Sequence, residues 1–184
     1  MTSNEHEHNL PNFHAVFDEH GKSRIPWLFR GGQPTARGFE LLKSEYCVET
    51  IICLRRDESH WEEECLKSCG LKFVSIPLPL RLRKLSEEDF RQRVSSFLQS
   101  ITDGPRNIFV HSHEGKDRTG LMIALYRMSL EHWPLEEALS EMESRGYHGF
   151  AHQVILSIFK DKLYDWVGQS VPAKQIAKSH KGDY

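Results

Sequence analysis

Apolar positions along the chain fall either in short continuous runs or at helical spacing, and these predict its elements. Residues 1–24 are polar and aperiodic, with Pro11 and Gly21 as punctuation, and read as a solvated or loosely docked leader. Residues 25–29 turn apolar and end at Arg30-Gly31-Gly32-Gln33-Pro34, a short strand and a turn. After Thr35 as a cap, Phe39, Leu41, Leu42 and Tyr46 recur at helical spacing, and residues 48–54 form a β-branched run. Residues 57–69 are charged and amphipathic and stop at Gly70, and residues 72–77 read as another strand. Pro77 and Pro79 exclude a central strand over residues 77–84, leaving a surface loop that carries Arg81, Arg83 and Lys84. Ser86 caps the next helix, with Glu87, Glu88 and Asp89 in the first turn where the helix dipole favours acids. Gly104-Pro105 breaks that helix, and residues 107–111 read as a buried strand. Residues 119–130 are apolar on nearly every face, as in a buried central helix; Pro134 starts another, and a last helix is predicted over residues 151–167. Strands alternating with helices, then helices alone, predict an α/β fold with a mainly parallel central sheet of four to five strands flanked by helices. The expected organisation is a leader over 1–24, one domain over 25–168 and a polar tail over 169–184.

The segment Val110-His111-Ser112-His113-Glu114-Gly115-Lys116-Asp117-Arg118-Thr119-Gly120 joins the buried strand to the central helix. A short strand-to-helix loop turns successive backbone N–H groups inward, and the helix N-terminus adds partial positive charge, so residues 113–118 suit a phosphate ester. Gly115 allows a tight curl. Arg118 supplies a planar fork matching two phosphate oxygens, which a lysine does less well. The Thr119 hydroxyl is placed to reach the residue at the base of the loop. A nucleotide-binding loop is excluded, since Gly115-Lys116 is followed by Asp117 rather than Ser or Thr and the earlier glycine is missing. A serine hydrolase fits poorly, because Ser112 lacks the Gly-x-Ser-x-Gly elbow.

This segment resembles the signature of the protein tyrosine and dual-specificity phosphatases, in which His-Cys is followed by five residues, Arg, and Ser or Thr; only the cysteine differs, replaced by Ser112. The resemblance extends in element order over residues 25–165. It implies the protein tyrosine phosphatase-like fold and a thiolate that attacks phosphorus to give a cysteinyl-phosphate, with Arg118 on the equatorial oxygens and an aspartic acid protonating the leaving group. A serine hydroxyl has no appreciable anionic fraction near neutral pH, so the chain with Ser112 is expected to hold substrate without turning it over. An engineered cysteine-to-serine replacement fits this best, and a natural phosphate-binding pseudophosphatase is the alternative.

The loop 78–85, where many such phosphatases carry their acid, has no aspartate. Asp117 and Asp89 are the two substitutes. The Asp117-Arg118-Thr119 ending is similar to that of myotubularin-type and Sac-type phosphoinositide phosphatases, whose loop aspartate has been proposed as the acid, while for Asp89 helix capping is the competing role. His113, Lys116, Arg81, Arg83, Lys84, Arg30, Arg55 and Arg56 are all expected near the carboxyl edge of the sheet, where open α/β folds bind ligands. Those cations, together with a similarity to phosphatase-like phytases and other small atypical phosphatases, imply an inositol polyphosphate such as phytate, with a phosphopeptide as the rival. A carboxylate at Glu114 opposes a crowded anion unless it points away or pairs with Lys116 or Arg81.

Composition narrows the picture further. With 24 basic and 26 acidic residues among 184, the chain lacks the basic face of a nucleic-acid binder. No apolar run is long enough to span a bilayer, and the sequence as given reads as cytoplasmic, or as periplasmic or secreted if a signal peptide has been removed. Cys47, Cys53, Cys65 and Cys69 are read as reduced thiols; Cys65 and Cys69 share a helix face, but no histidine pair completes a zinc set. No metal or prosthetic group is implied, because an arginine and backbone cradle takes the place of a metal clamp.

Overall fold

The computed structural model describes residues 3–16, 27–55, 60–79, 85–104 and 107–147. Its elements run α1 (Ser3–Asn9), β1 (His14–Ala15), β2 (Leu28–Gly31), α2 (Ala36–Ser44), β3 (Thr50–Cys53), α3 (His60–Ser68), β4 (Lys72–Ser75), α4 (Glu87–Asp103), β5 (Ile108–His111), α5 (Asp117–Leu130) and α6 (Leu135–Ser144). The predicted helix over 151–167, the tail, Arg56 and the cationic trio Arg81, Arg83 and Lys84 lie outside the described residues.

The strands β3, β4 and β5 are four residues each and lie inside the predicted runs, while Arg30 and Gly31, expected in the turn, continue β2 by pairing with Val110 and His111. The five strands lie in the order β1-β2-β5-β3-β4, all parallel except β1, which pairs antiparallel with β2. With both faces covered by helices, side chains alternate between two cores. Leu28, Ile52, Ile108 and Val110 point to the core of α4, α5 and α6, while Phe29, Ile51 and Phe109 point to that of α1, α2 and α3. Thr35 and Ser86 cap as expected, their hydroxyls accepting from Gly38 N and Asp89 N. The central helix α5 starts at Asp117 and is buried from Thr119 to Ser129.

Near the far end of α5, Arg127 is sealed against α6. Its guanidinium donates to Glu141 through Nε (3.0 Å) and Nη2 (2.8 Å), also meets Glu131, and lies 4.2 Å from the Trp133 ring. Such a fork paired with two carboxylates holds α5 and α6 in one orientation.

The leader is the main correction to the sequence reading. Instead of a solvated segment, residues 3–16 form α1 and β1; Leu10 is fully buried in the second core, and Phe13 stacks on Phe29 and Phe109. Too few apolar residues mark this stretch for periodicity to show, and the docking rests on two side chains plus backbone bonds such as Gly32 N to Pro11 O (2.7 Å) and Thr35 N to Asn9 O (3.1 Å). A Leu10→Ala variant should therefore lose roughly 2–5 kcal/mol in urea unfolding, as for other buried leucines; a change below about 0.5 kcal/mol would mean that the segment is loosely held after all.

Candidate active site

Parallel pairing puts Gly31, His111 and Cys53 side by side, so β2, β5 and β3 all end at one edge, and Ser112 leaves β5 at its centre. The Ser112 side chain is buried at the base of the following loop, and the Thr119 hydroxyl donates to its Oγ at 3.0 Å. Gly115 makes the curl with φ +74°, and it lies so close to the neighbouring turn that a Cβ there would sit 2.3 Å from Gly31 C and 2.4 Å from Gly32 N. Lys116 occupies the N-cap of α5 without a side-chain hydrogen bond to the first turn. Among the described residues, none accepts a hydrogen bond from the amides of His113, Glu114, Gly115 or Lys116. A helix N-terminus and a row of such amides form an anion cradle.

The remaining candidates separate by position. Arg118 is half-buried and its Nη1 reaches Leu54 O at 3.4 Å, beside the end of β3. Asp117 is exposed as the first residue of α5. His113 is exposed and its carbonyl accepts from Gln33 N at 3.0 Å. Glu114 is exposed and paired with Lys116 (Nζ to Oε2 3.0 Å); that hydrogen bond and charge hold its carboxyl below the usual carboxylate value. The repulsion expected of Glu114 is thus partly offset by its neighbour. Asp89 is committed elsewhere: its carboxylate accepts from the Ser86 hydroxyl (2.6 Å) while its amide donates back to Ser86 Oγ (3.1 Å), a reciprocal cap. Arg55 follows β3 and donates to Gln33 Oε1 at 2.6 Å.

Arg30 departs from the expectation that it lines the ligand. It is 1% exposed and lies behind the loop, where Nη2 donates to Gly115 O at 2.9 Å. Strand alternation explains this, since Arg30 shares the face of Leu28 and so points into the core of α5 and α6. Burial pushes its guanidinium down to about 10, still protonated at neutral pH. Gly120 packs nearby against α6, where a Cβ would come within 2.8 Å of Met142 Cγ.

Sequence reasoning missed Glu62. This acid is 1% exposed on the inner face of α3, and His111 Nε2 lies 2.9 Å from its Oε1, within ion-pair range though off the line of a directed hydrogen bond. Burial by itself pushes the Glu62 carboxyl up, and the closeness of His111, then of Gln33 and Arg55, outweighs it and holds the group below the ordinary value of 4.5. The available signal was spacing: Glu62 and Leu66 stand four apart and form the buried face of α3. With Cys53, Glu62 and His111 are the one group of potential metal ligands that converges among the described residues, their donor atoms within 4.8 Å of one another.

Residues 5–155 match the family described as "DSP-PTPase phosphatase fused to NAD+ Kinase". The dual specificity protein phosphatase TpbA of Pseudomonas aeruginosa is 25% identical over 122 residues, 66% of this chain and 52% of that protein. The tyrosine-protein phosphatase-like protein OCA2 of Saccharomyces cerevisiae is 28% identical over 110 residues, 58% of this chain and 53% of that protein. The chain spans about half the length of the curated relatives it matches. Among solved structures, the core catalytic domain of the PP-IP phosphatase SIW14 from S. cerevisiae, in complex with citrate, has a TM-score of 0.63 at 18% identity, covering 85% of this chain and 94% of that one. A cysteine-to-serine variant of TpbA in complex with phosphotyrosine has a TM-score of 0.55 at 22% identity, covering 94% and 98%.

Two outcomes follow from this geometry. Gly115→Ala should destabilise the protein well beyond Gly70→Ala, since both glycines have positive φ but nothing lies within 4 Å of a Cβ at Gly70. Thermal unfolding should show about 1 kcal/mol for the open site and clearly more for Gly115; equal losses would mean that the loop yields without strain. The second concerns acid. A carboxyl held below its unfolded value contributes stability above pH 4.5 that is lost as pH falls through the folded value. Glu62→Gln should therefore cost about 1–3 kcal/mol at pH 7 and flatten the acid limb of the stability curve; parallel acid limbs would relieve Glu62 of that role.

Proposed function

The chain belongs to the family of DSP-PTPase phosphatases fused to NAD+ kinase, and from that premise we propose that it is a phosphomonoester hydrolase domain whose nucleophile position is filled by Ser112. Its fold is the protein tyrosine phosphatase-like one expected from the sequence, a mostly parallel five-stranded sheet between helices. The observation that carries the functional proposal is the cradle itself: a buried Ser112 Oγ at its base, bonded to Thr119, under a curl that only glycine permits at position 115.

With cysteine at position 112, the thiolate attacks phosphorus, forming an S–P bond as the ester P–O bond breaks. Arg118 and the loop amides meet the charge on the equatorial oxygens, and the Asp117 carboxylic acid gives its proton to the departing alkoxide. Water then attacks phosphorus as Asp117 takes its proton, the S–P bond breaks, and thiolate and inorganic phosphate are released. The cap that ties down Asp89 favours Asp117 as the acid. With serine at 112 the hydroxyl stays neutral and accepts from Thr119, so ligand is held and not cleaved. We read Ser112 as a replacement for cysteine, since Gly115, Arg118 and Thr119 are all retained around it.

For the substrate we favour an inositol polyphosphate. Lys116 and Arg118 stand at the loop, Arg81, Arg83 and Lys84 follow β4 in the sequence, and SIW14 is a PP-IP phosphatase. Arg30 is left out of that set because it is buried. The second reading is a protein phosphatase, favoured by the match to TpbA, whose serine variant holds phosphotyrosine.

Phosphate release by the Ser112→Cys protein from inositol hexakisphosphate, p-nitrophenyl phosphate and a phosphotyrosine peptide tests both readings. The expected result is turnover with a preference for the inositol, no turnover by the Ser112 chain, and a loss of about 10²–10³-fold on adding Arg118→Lys. Peptide preference would assign a protein phosphatase, and silence on all three would leave a binding module.

A further inference from the structure

A peptide unit is planar, and its C=O and the following N–H point to opposite sides. A loop that offers its amides to an anion must therefore hold its carbonyls on the far side, and here each carbonyl from 113 to 116 has a donor. His113 O accepts from Gln33 N (3.0 Å), and Lys116 O from Gly120 N (2.8 Å). Gly115 O accepts from Arg30 Nη2 (2.9 Å) and from Asn12 Nδ2 (3.2 Å), and Glu114 O lies 3.5 Å from the same Asn12 nitrogen. Two of the four peptides are thus held by one side chain of the N-terminal segment.

Asn12 is built for this task. Its amide nitrogen also donates to Arg145 O (3.2 Å), just past the C-terminal end of α6, and its Oδ1 is matched with His14 Nε2 (3.0 Å). That partner fixes which end of the amide faces the loop. The backbone of Asn12 has φ +49°, a left-handed conformation that asparagine tolerates better than most residues, and its amide nitrogen donates to Glu7 Oε1 (3.2 Å). None of these bonds serves an element of secondary structure.

We propose that Asn12 is a positioning residue of the phosphate cradle, holding the Glu114 and Gly115 carbonyls outward so that the amides of residues 115 and 116 face the ligand site before a phosphate arrives. Residue 12 does not touch the ligand; it acts through the loop, on the same carbonyl that Arg30 holds from the sheet side. The assignment rests on the phosphate-binding reading for its effect on affinity, but its effect on the loop does not.

The experiment uses the Ser112 chain with Asn12→Gly and Asn12→Asp. Glycine and aspartate keep the left-handed backbone, glycine without a side chain and aspartate with the same shape but no donor. Backbone order parameters of residues 114–117 are measured by NMR relaxation in the free protein, and inorganic phosphate affinity by calorimetry. Both variants should lower the order parameters of residues 115 and 116 from about 0.85 to below about 0.6 and bind phosphate about tenfold more weakly, with thermal midpoints near that of the parent. The Ser112→Cys background should show a raised KM for p-nitrophenyl phosphate in both. Aspartate behaving like asparagine would make the contact one of shape and overturn the proposal, as would unchanged loop order parameters in both variants. If the parent chain binds no phosphate, the functional reading fails, while a loosened loop in the variants would still uphold the clamp.

Discussion

The edge of the sheet is organised by a backbone-to-backbone approach. Gly115 lies against the Gly31–Gly32 peptide with no space for a methyl group between them, so the loop after β5 and the turn after β2 form one unit. Close packing of main chain on main chain leaves the polar groups of both segments in need of partners, and they find them in Gln33, Pro11, Arg30 and Asn12. The cradle's curvature, the burial of Ser112 beneath it and the direction of α5 all follow from this approach.

Charge is arranged around that unit in layers. Beneath the loop sits Arg30, a buried cation whose Nε and Nη1 have no hydrogen-bond partner among the described residues; Glu141, the acid whose charge acts on it, accepts its hydrogen bonds from Arg127. Burying a cation without a bonded acid is unfavourable in an empty protein, and a dianion on the other side of the loop would lessen that penalty. On the opposite core face, the buried Glu62 Oε1 lies 2.9 Å from His111 Nε2. At the rim, Lys116 and Glu114 largely cancel, leaving Arg118 as the cation of the loop itself.

Much of this was legible in the sequence, and the exceptions share a cause. The β-branched runs, the caps Thr35 and Ser86 and the all-apolar α5 marked the sheet and its order of elements, because each depends on neighbours a few residues away. The curl at Gly115 and the Thr119–Ser112 bond were legible because a glycine and two hydroxyls stand at fixed spacing between strand and helix. Arg30, Glu62 and Asn12 were misplaced or missed because their roles come from contacts far along the chain, such as Arg30 with Gly115 and Glu62 with His111. A polar residue in a doubly covered strand or on the inner face of a helix looks like surface until the fold brings its partner. The leader followed the same pattern: Leu10 and Phe13 are too sparse to signal a core, yet they meet three aromatic rings and a helix.

The contacts of Asn12 also close a circuit. From the cradle the chain enters α5, Arg127 fastens α5 to α6, Arg145 ends α6 at the Asn12 side chain, and Asn12 returns to the cradle. A closed circuit distributes load differently from an open chain, because slack at any link reaches every other. The first dozen residues, which look expendable on paper, are therefore a poor place to cut or to splice in a tag; a fragment trimmed to residue 25 would keep every signature residue of the loop while opening the ring that shapes it.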